Sequence, residues 1–245
     1  MVSQLFAENG LSKLDTPLAK IAVPLLVFGA IFGGWKASQY YRQATATLPD
    51  AQPSDGDCML WFVGSSSIHR WTSLDRDMTP WKVRNRGINS ATLSDIIPRF
   101  ANIRPAREGR PQAIILYVGE NDIAESVPVR TVVRQLATLL DLRTHLLGDV
   151  PVLLLSAKPS PGRAKFLPDQ RLFNLAAQRL IPHAQRVYYG DITTPLLVNG
   201  RMGDNYQPDG VHMNPRGYRI WVKVVRARLK DMLPSETINR CAPGS

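Results

Sequence analysis

Cysteine and histidine are scarce in this chain of 245 residues, which contains only two cysteines and four histidines. Neither Cys58 nor Cys241 stands at a spacing typical of a metal site or a redox motif, and no further cluster of such residues accompanies Asp209 and His212. We therefore expect no metal ion and no other cofactor. The two cysteines leave two interpretations open: a disulfide that joins the C-terminal tail to the start of the domain, as in an exported protein, or two free thiols.

Patterns typical of nucleic-acid binding are also absent, although 30 lysines and arginines stand against 20 acidic residues. Aromatic side chains are not interleaved with the basic ones as in a nucleic-acid-binding module, so we expect no DNA or RNA partner. The sequence has no internal repeat and no low-complexity tract. Its 44% hydrophobic and 20% charged residues exclude a disordered chain and a membrane protein with several spans.

Basic residues share one face of the last predicted helix, namely Arg219, Lys223, Arg226 and Lys230. One interpretation is a solvated face, because apolar residues at helical spacing predict a buried face on the opposite side. The other interpretation is contact with an anionic lipid or polymer.

One uncharged run, from Ile21 to Trp35, approaches the roughly 20 apolar residues that cross a bilayer when its apolar neighbours are included. Tyr40 and Tyr41 follow it, as is typical near a membrane interface. We therefore predict a transmembrane anchor at residues 17–37. A cleaved signal peptide and a buried helix remain as alternatives. Basic residues are balanced on the two sides of the run, so they do not decide its orientation.

The predicted domain boundaries follow from composition. Residues 44–57 are rich in small, proline and acidic residues without hydrophobic periodicity, so we place a linker at residues 38–57. A short tail at residues 1–16 precedes the anchor. A globular domain is predicted at residues 58–235, followed by a C-terminal tail at residues 236–245.

Short apolar runs alternate with helical patterns through the predicted domain, which favours a parallel sheet covered by helices on both faces. The predicted strands are Cys58–Val63, Val83–Asn85, Ala113–Val118, Val150–Ser156 and Val187–Tyr189. The predicted helices are Leu93–Ile103, Val129–Leu147, Pro168–Ile181 and a last one that begins after Asn214, a good N-cap residue followed by Pro215.

Four polar segments are expected at the carboxyl-terminal edge of that sheet, where ligands collect in open α/β folds. They are Gly64-Ser65-Ser66-Ser67, Asn85–Ser90, Gly119-Glu120-Asn121-Asp122 and Asp209-Gly210-Val211-His212. In the last segment the carboxylate of Asp209 can hold one ring nitrogen of His212 while the other nitrogen faces a hydroxyl. Hydroxyl, imidazole, carboxylate and amide together suit ester hydrolysis, which needs a nucleophile, a base and donors for the tetrahedral oxygen.

Each of these residues also has a simpler interpretation. Ser66 fits a phosphate-binding turn between a strand and a helix. Asn121 fits a helix cap, since asparagine favours that position. Asp209 and His212 fit a pair of metal ligands.

In this order and strand context, the four segments resemble those of the SGNH hydrolases, also called the GDSL family, from Cys58 to Leu233. The resemblance implies a three-layer α/β/α sandwich around a central, mostly parallel five-stranded sheet of the flavodoxin-like type. It makes Ser66 the nucleophile, His212 the general base and Asp209 the residue that orients the base.

The resemblance also assigns an oxyanion hole. Its donors are the main-chain N–H of Ser66 and the side chain of Asn121. A third donor in the family is the N–H of a glycine, and Ser90 occupies that position here. Because this donor belongs to the main chain, serine serves if its backbone angles permit, but the conformational freedom of glycine is lost.

By this resemblance the chain is a serine esterase that removes short acyl groups, such as acetyl, from carbohydrate or lipid alcohols through an acyl-enzyme. Its partner is then a small-molecule or polymer-linked ester. Two alternatives keep the same fold: an O-acyltransferase with the same catalytic residues, and a non-catalytic binding module. Trp71 and Trp81 are either walls of an acyl pocket or core residues.

The predicted anchor adds an expectation about location. We expect a single-pass membrane protein with its domain on the extracytoplasmic side, or a secreted protein if the segment is a cleaved signal peptide. The sequence does not define the oligomeric state.

Overall fold

A sheet of five parallel strands is the centre of the structure, a computed structural model that describes Gly34, residues 45–53 and residues 57–243. The strands are β1 (Met59–Gly64), β2 (Lys82–Gly87), β3 (Ala113–Tyr117), β4 (Val152–Leu155) and β5 (Val187–Gly190). They lie in the order β2-β1-β3-β4-β5, and every pairing is parallel. The predicted parallel five-stranded sheet is confirmed, and its order is that of flavodoxin-like folds.

Nine helices are described around this sheet. They are α1 (Ser66–His69), α2 (Leu74–Met78), α3 (Leu93–Ala101), α4 (Pro105–Glu108), α5 (Glu120–Ala124), α6 (Val129–Leu147), α7 (Leu167–Leu180), α8 (Pro215–Met232) and α9 (Ser235–Cys241). Short 3₁₀ segments lie at Pro161–Phe166, Ile181–His183 and Thr194–Leu196, and β6 (Leu197–Val198) pairs antiparallel with β7 (Arg201–Met202).

The start of α8 agrees with the sequence pattern. The side chain of Asn214 accepts hydrogen bonds from the N–H groups of Arg216 and Gly217, at 2.9 and 3.1 Å. Pro215 occupies the first helical position, where its missing N–H has no partner to lose. The predicted N-cap is therefore confirmed.

Alternating side chains divide the core into one apolar cluster on each face of the sheet. In β1, Trp61 and Val63 face the cluster beneath α3, α6 and α7, whereas Leu60 and Phe62 face the cluster beneath α1, α2 and α8. Both faces are covered by helices, which confirms the three-layer α/β/α arrangement.

Trp71 and Trp81 belong to the second cluster, at 1% and 5% exposure. The ring of Trp71 stacks on Tyr218 with their centroids 4.8 Å apart, and its indole N–H donates to Asp77 at 2.8 Å. Both tryptophans are core residues, and the interpretation as walls of an acyl pocket is wrong.

Most of the basic face of α8 is exposed, as both of its interpretations require. Arg219, Lys223 and Lys230 are exposed, whereas Trp221 on the opposite side is fully buried. Arg226 is partly buried and donates to the main-chain carbonyls of Asp77 and Thr79, at 3.0 and 2.6 Å. Packing against the core thus accounts for the apolar half of the pattern of this helix.

Part of the predicted linker packs on the domain. Arg84 of β2 donates to the main-chain carbonyls of Gln52 and Pro53, at 2.9 and 2.6 Å, and Arg86 donates to that of Asp50 at 3.0 Å. Both arginines are buried, and a buried guanidinium group needs acceptors. Residues 50–53, inside the predicted linker at residues 38–57, therefore contact the domain, and the linker bounds stay a prediction.

The predicted C-terminal tail at residues 236–245 is also largely ordered into the fold. Helix α9 covers Ser235–Cys241, and Cys241 is buried. Its sulfur forms a disulfide with Cys58, which directly precedes β1. The disulfide interpretation is correct, and the interpretation with two free thiols is wrong.

The predicted tail at residues 1–16 and anchor at residues 17–37 lie outside the described residues, apart from Gly34. Within the described part of the chain, no helix has the length and hydropathy that a membrane span requires. The anchor stays a prediction.

Candidate active site

Ser66 is the first residue of α1, at the point where β1 ends. The turn needs Gly64, because a Cβ there would come within 2.2 Å of the carbonyl oxygen of Tyr117 on β3. Gly87, at the end of β2, has the same constraint, since a Cβ would come within 2.2 Å of the main-chain nitrogen of His69. This close packing holds α1 against the carboxyl-terminal ends of three strands.

The side chain of Asn85 also connects α1 to β2, through two hydrogen bonds. Its Nδ2 donates to the carbonyl of Ile68 at 2.8 Å, and its Oδ1 accepts from the N–H of Gly87 at 3.1 Å. Ser66 is thereby placed by main-chain and side-chain contacts on both sides, with 6% of its surface exposed.

His212 connects Ser66 to Asp209. The Nε2 of His212 lies 2.9 Å from the Oγ of Ser66, and its Nδ1 lies 2.6 Å from the Oδ2 of Asp209. The second carboxylate oxygen of Asp209 accepts from the N–H groups of Val211 and His212, both at 2.9 Å. The structure thus brings the three predicted catalytic residues into one hydrogen-bonded chain.

The carboxylate of Asp209 is held ionised. Burial acts to raise its pKa, but hydrogen bonds from the side chain and N–H of His212 and from the N–H of Val211 outweigh it, so the pKa lies well below its ordinary value. Arg70 adds a positive charge, with its Nη1 at 3.8 Å from the Oδ2 of Asp209. An ionised Asp209 accepts the Nδ1–H of His212, which leaves Nε2 free to accept the hydroxyl proton of Ser66.

Ser90 has a left-handed backbone, with φ at 57°. Glycine adopts this conformation freely, whereas other residues rarely do. In the described part of the chain, the main-chain N–H groups of Ser66 and Ser90 donate to no protein acceptor. Their role as oxyanion donors stays a prediction.

Asn121 lies in the first turn of α5 and is 5% exposed. Its Nδ2 donates to the carbonyl of Ala91, which follows Ser90, at 2.9 Å. The N-cap of α5 is Gly119, and Asn121 makes no capping bond there, so the interpretation as a helix cap is wrong. Because an amide nitrogen carries two hydrogens, Asn121 keeps a second donor.

Asp122, the last residue of the same motif, has a structural role. Both of its carboxylate oxygens accept from the N–H of Leu93, at 3.0 and 3.2 Å. Burial raises its pKa, although the hydrogen bond from Leu93 opposes that effect. This contact ties α5 to the start of α3 and keeps Asn121 close to the Ser90 turn.

Arg163 belongs to no pattern recognised in the sequence, yet it contacts the candidate site. Its Nη2 donates to the Oδ1 of Asn121 at 2.8 Å. It lies in the 3₁₀ segment Pro161–Phe166, which has no motif of its own, so only the three-dimensional structure reveals this contact.

Within residues 45–53 and 57–243, no three histidine, cysteine or acidic side chains are placed to hold a metal ion. Asp209 and His212 instead use their polar atoms on each other and on Ser66. The arrangement suits attack by a hydroxyl whose proton passes to an imidazole. The individual catalytic roles stay predictions from the sequence.

Comparison with known proteins provides independent information. The sequence model of the GDSL-like lipase/acylhydrolase family matches residues 33–220. No curated protein has a matching sequence.

Solved structures match over most of the chain. A Streptococcus pneumonia protein named for platelet activating factor is 21% identical, with 86% of this chain and 99% of that chain covered and a TM-score of 0.65. A GDSL-like lipase from Bacteroides thetaiotaomicron is 20% identical, with 82% and 100% covered and a TM-score of 0.58. A family 3 carbohydrate esterase from Clostridium thermocellum is 15% identical, with 74% and 100% covered and a TM-score of 0.60. At these identities the likeness shows the fold alone.

Proposed function

The chain belongs to the GDSL-like lipase/acylhydrolase family and is a carboxylic ester hydrolase; on this basis we propose that it removes short acyl groups, such as acetyl, from carbohydrate or lipid alcohols. Ser66 is the proposed nucleophile, His212 the base and Asp209 its orienting acid. The observation that carries the proposal is the hydrogen-bonded chain from Ser66 Oγ to His212 Nε2, at 2.9 Å, and from His212 Nδ1 to Asp209 Oδ2, at 2.6 Å.

In the first half-reaction, the Oγ of Ser66 attacks the ester carbonyl carbon while its proton passes to the Nε2 of His212. The carbonyl oxygen becomes an oxyanion that accepts hydrogen bonds from the N–H groups of Ser66 and Ser90 and from the amide of Asn121. The carbon–oxygen bond to the alcohol then breaks, and His212 gives its proton to the departing oxygen. The products are the free alcohol and an acyl group on Ser66.

In the second half-reaction, water attacks the acyl carbon and gives a proton to His212. The bond to Ser66 breaks, Ser66 regains its proton from His212, and the carboxylic acid leaves. Asp209 stays ionised throughout, because its pKa is low, and stabilises the imidazolium formed in each half-reaction.

The proposed acyl group and alcohol are supported by likeness in fold to a family 3 carbohydrate esterase. A fold hosts many substrates, so this support is analogy. Hydrolysis of a graded series of nitrophenyl esters, from acetate to octanoate, tests it directly. We expect the highest kcat/KM for acetate, and a preference for octanoate would contradict the short-acyl proposal.

A fluorophosphonate probe tests the proposed nucleophile and base. We expect rapid labelling of the wild-type protein at neutral pH, no labelling of Ser66→Ala, and labelling slowed about 10²-fold or more in His212→Ala, since a general base contributes about that much. Ser67→Ala is the matched control, because it removes the neighbouring hydroxyl, and we expect it to be labelled like the wild type. A wild-type protein that resists the probe would contradict the hydrolase mechanism.

Product analysis separates hydrolysis from acyl transfer, which uses the same residues. The enzyme is incubated with a nitrophenyl ester and a sugar alcohol as acceptor. We expect the carboxylic acid as product and no new ester of the acceptor. Formation of that ester in preference to the acid would favour the transferase.

We further propose that residues 17–37 anchor the protein in a membrane and that the domain faces the extracytoplasmic side. The uncharged run from Ile21 to Trp35 supports the anchor. The disulfide between Cys58 and Cys241 supports export, since disulfides persist in oxidising compartments.

Alkaline phosphatase fused after Ser245 tests this location, because that reporter is active only where disulfides form. We expect an active fusion that stays in the membrane fraction after carbonate extraction. A shortened soluble product would instead indicate a cleaved signal peptide, and an inactive fusion would place the domain in the cytoplasm.

A further inference from the structure

The guanidinium group of Arg163 bridges two adjacent residues of α5. Its Nη2 donates to the Oδ1 of Asn121 at 2.8 Å, and its Nη1 lies 3.2 Å from the Oε1 of Glu120. The side chain is 20% exposed. Because guanidinium is planar and donates in fixed directions, two acceptors at these positions define its orientation.

Glu120 is itself held from inside the core. The Nζ of Lys158 donates to both of its carboxylate oxygens, at 2.9 and 2.8 Å, and the hydroxyl of Tyr117 donates to Oε2. All three side chains are buried. Burial acts to raise the pKa of Glu120, but the charges of Lys158 and Arg163 outweigh it and the pKa lies below its ordinary value. Glu120 is therefore a fixed anion to which Arg163 is attached.

The contact with Arg163 selects one of two orientations of the Asn121 amide. In the observed orientation, Nδ2 donates to the carbonyl of Ala91 at 2.9 Å and keeps a second N–H, while Oδ1 accepts from Arg163. If the amide were flipped, its oxygen would face the carbonyl of Ala91 and its nitrogen would face the donors of Arg163, so that both contacts would be repulsive.

We propose that Arg163 is a positioning residue, which fixes the amide of Asn121 with its N–H directed toward the oxygen of the bound ester. The proposal rests on the proposed function, because it assigns Asn121 to the oxyanion hole. Oxyanion donors are effective when they are oriented before the reaction begins, and Arg163 supplies that orientation.

The ion pairs among Lys158, Glu120 and Arg163 also place a positive charge near the candidate oxyanion hole. Lys158 and Arg163 are positive and Glu120 is negative, so the three side chains together carry one net positive charge beside Asn121. In a water-poor site, a positive charge near a developing oxyanion is stabilising. Orientation and charge are separable, because Arg163→Lys keeps the charge and loses the planar pair of donors.

Steady-state kinetics with nitrophenyl acetate test the proposal. We expect Arg163→Met to lower kcat about 10- to 100-fold with KM changed less than about twofold, since complete loss of an oxyanion donor costs about 10²- to 10³-fold in kcat. Arg163→Lys is expected to recover only part of the loss. Full recovery by lysine would show that charge alone matters and would overturn the orienting role, as would wild-type kcat in Arg163→Met.

A double-mutant cycle asks whether Arg163 acts through Asn121. We expect Asn121→Ala combined with Arg163→Lys to lose no more than about twofold beyond Asn121→Ala alone, because lysine keeps the charge and the removed amide no longer needs orientation. If the two losses multiply, Arg163 acts independently of Asn121 and the proposal is overturned.

Arg171→Met is the matched control. It removes one exposed arginine from α7, nearby in sequence, and we expect it to keep wild-type kcat. Urea unfolding of each variant reports whether the fold is retained.

A spectroscopic readout does not depend on catalysis. In ¹H–¹⁵N spectra, we expect the side-chain amide signals of Asn121 to shift or broaden in Arg163→Met and to stay unchanged in Arg171→Met. Unchanged signals in Arg163→Met would overturn the positioning role. An inactive wild-type protein would contradict the proposed function instead, and the amide spectrum would still decide whether Arg163 holds Asn121.

Discussion

The hydroxyl of Tyr218 donates a hydrogen bond of 2.9 Å to the main-chain carbonyl of Ser67. Tyr218 lies in the first turns of α8, shortly after His212, and Ser67 directly follows Ser66. Burial raises the pKa of Tyr218 far above its ordinary value, so the hydroxyl remains a donor across the physiological range. This bond ties the segment that carries the proposed base to the segment that carries the proposed nucleophile.

Tyr218→Phe is expected to weaken that tie while keeping the ring that stacks on Trp71. We expect the free energy of unfolding to fall by about 0.5–1.5 kcal/mol, the usual contribution of one hydrogen bond. We expect kcat to fall about 3- to 10-fold, because displacement of reacting groups lowers the rate. Urea unfolding and steady-state kinetics measure the two effects. Wild-type kcat combined with the loss of stability would show that the bond has no part in positioning Ser66.

Ser90→Gly is expected to preserve activity. The proposed donor at this position is a main-chain N–H, and glycine accepts the left-handed φ of 57° without strain. We expect the free energy of unfolding to rise by about 0–1 kcal/mol, since relief of strain is partly offset by the greater freedom of glycine in the unfolded chain. Ser126→Gly is the matched control, because Ser126 has φ at 63° and lies outside the candidate site. A loss of kcat above tenfold in Ser90→Gly alone would show that the serine side chain itself contributes.

Glu120→Gln is expected to destabilise the fold and to change its response to acid. The variant leaves Lys158 buried without its anion, which typically lowers the free energy of unfolding by about 3–5 kcal/mol. In the wild type, the pKa of Glu120 is lower in the folded state than its ordinary value of 4.5. Its contribution is therefore fully present above the ordinary value and is lost as pH falls through the lower pKa of the folded state.

Urea unfolding of Glu120→Gln at pH 7 and at a series of acidic pH values tests both statements. We expect the wild type to lose stability more steeply in acid than Glu120→Gln does. Glu125→Gln, a change at an exposed carboxylate at the end of the same helix, is expected to behave like the wild type. Equal acid dependence in the wild type and Glu120→Gln would contradict the lowered pKa.

Replacement of both Cys58 and Cys241 by serine is expected to lower stability without lowering kcat. A disulfide typically contributes about 2–5 kcal/mol, chiefly by restricting the unfolded chain. Cys58 precedes β1, at the end of that strand opposite Ser66, so the catalytic geometry does not depend on it. Calorimetry with and without a thiol reductant measures the effect. Reductant should lower the Tm of the wild type and leave that of the variant unchanged, and equal responses would contradict this assignment.

The sequence predicts most of the sheet because strands buried on both faces are continuous apolar runs. β2 is the instructive exception. Only Val83–Asn85 was predicted, whereas the strand covers Lys82–Gly87, because the charged Lys82 and Arg86 interrupt the apolar pattern at its two ends. Arg86 is buried, as is Arg84 inside the predicted range. Their burial depends on Glu108 and on main-chain carbonyls of residues 50–53, which are distant in sequence. Helix α9 was missed for a related reason, since it is short and mostly polar and is held by a disulfide to a residue distant in sequence.

The residues of the candidate site likewise fall into two groups, those that the sequence predicts and those that it does not. Ser66, Asp209 and His212 stand in local motifs, so their types and spacing predict a common site once the sheet is recognised. Lys158 and Arg163 stand in no motif, and their contacts with Glu120 and Asn121 join segments about 40 residues apart, as the separations of 38 and 42 positions show. Such contacts depend on the path of the loops at the edge of the sheet, and the pattern of a single sequence does not predict that path.

The bond between Cys58 and Cys241 closes a loop whose ends are separated by 183 positions. A protease that cleaves a surface loop inside that interval therefore leaves both fragments covalently joined. Such nicked molecules migrate as one band in non-reducing electrophoresis and separate into two bands only after thiol treatment. Only scission before Cys58 or beyond Cys241 detaches a fragment, so an intact band in a non-reducing gel does not demonstrate an uncut polypeptide.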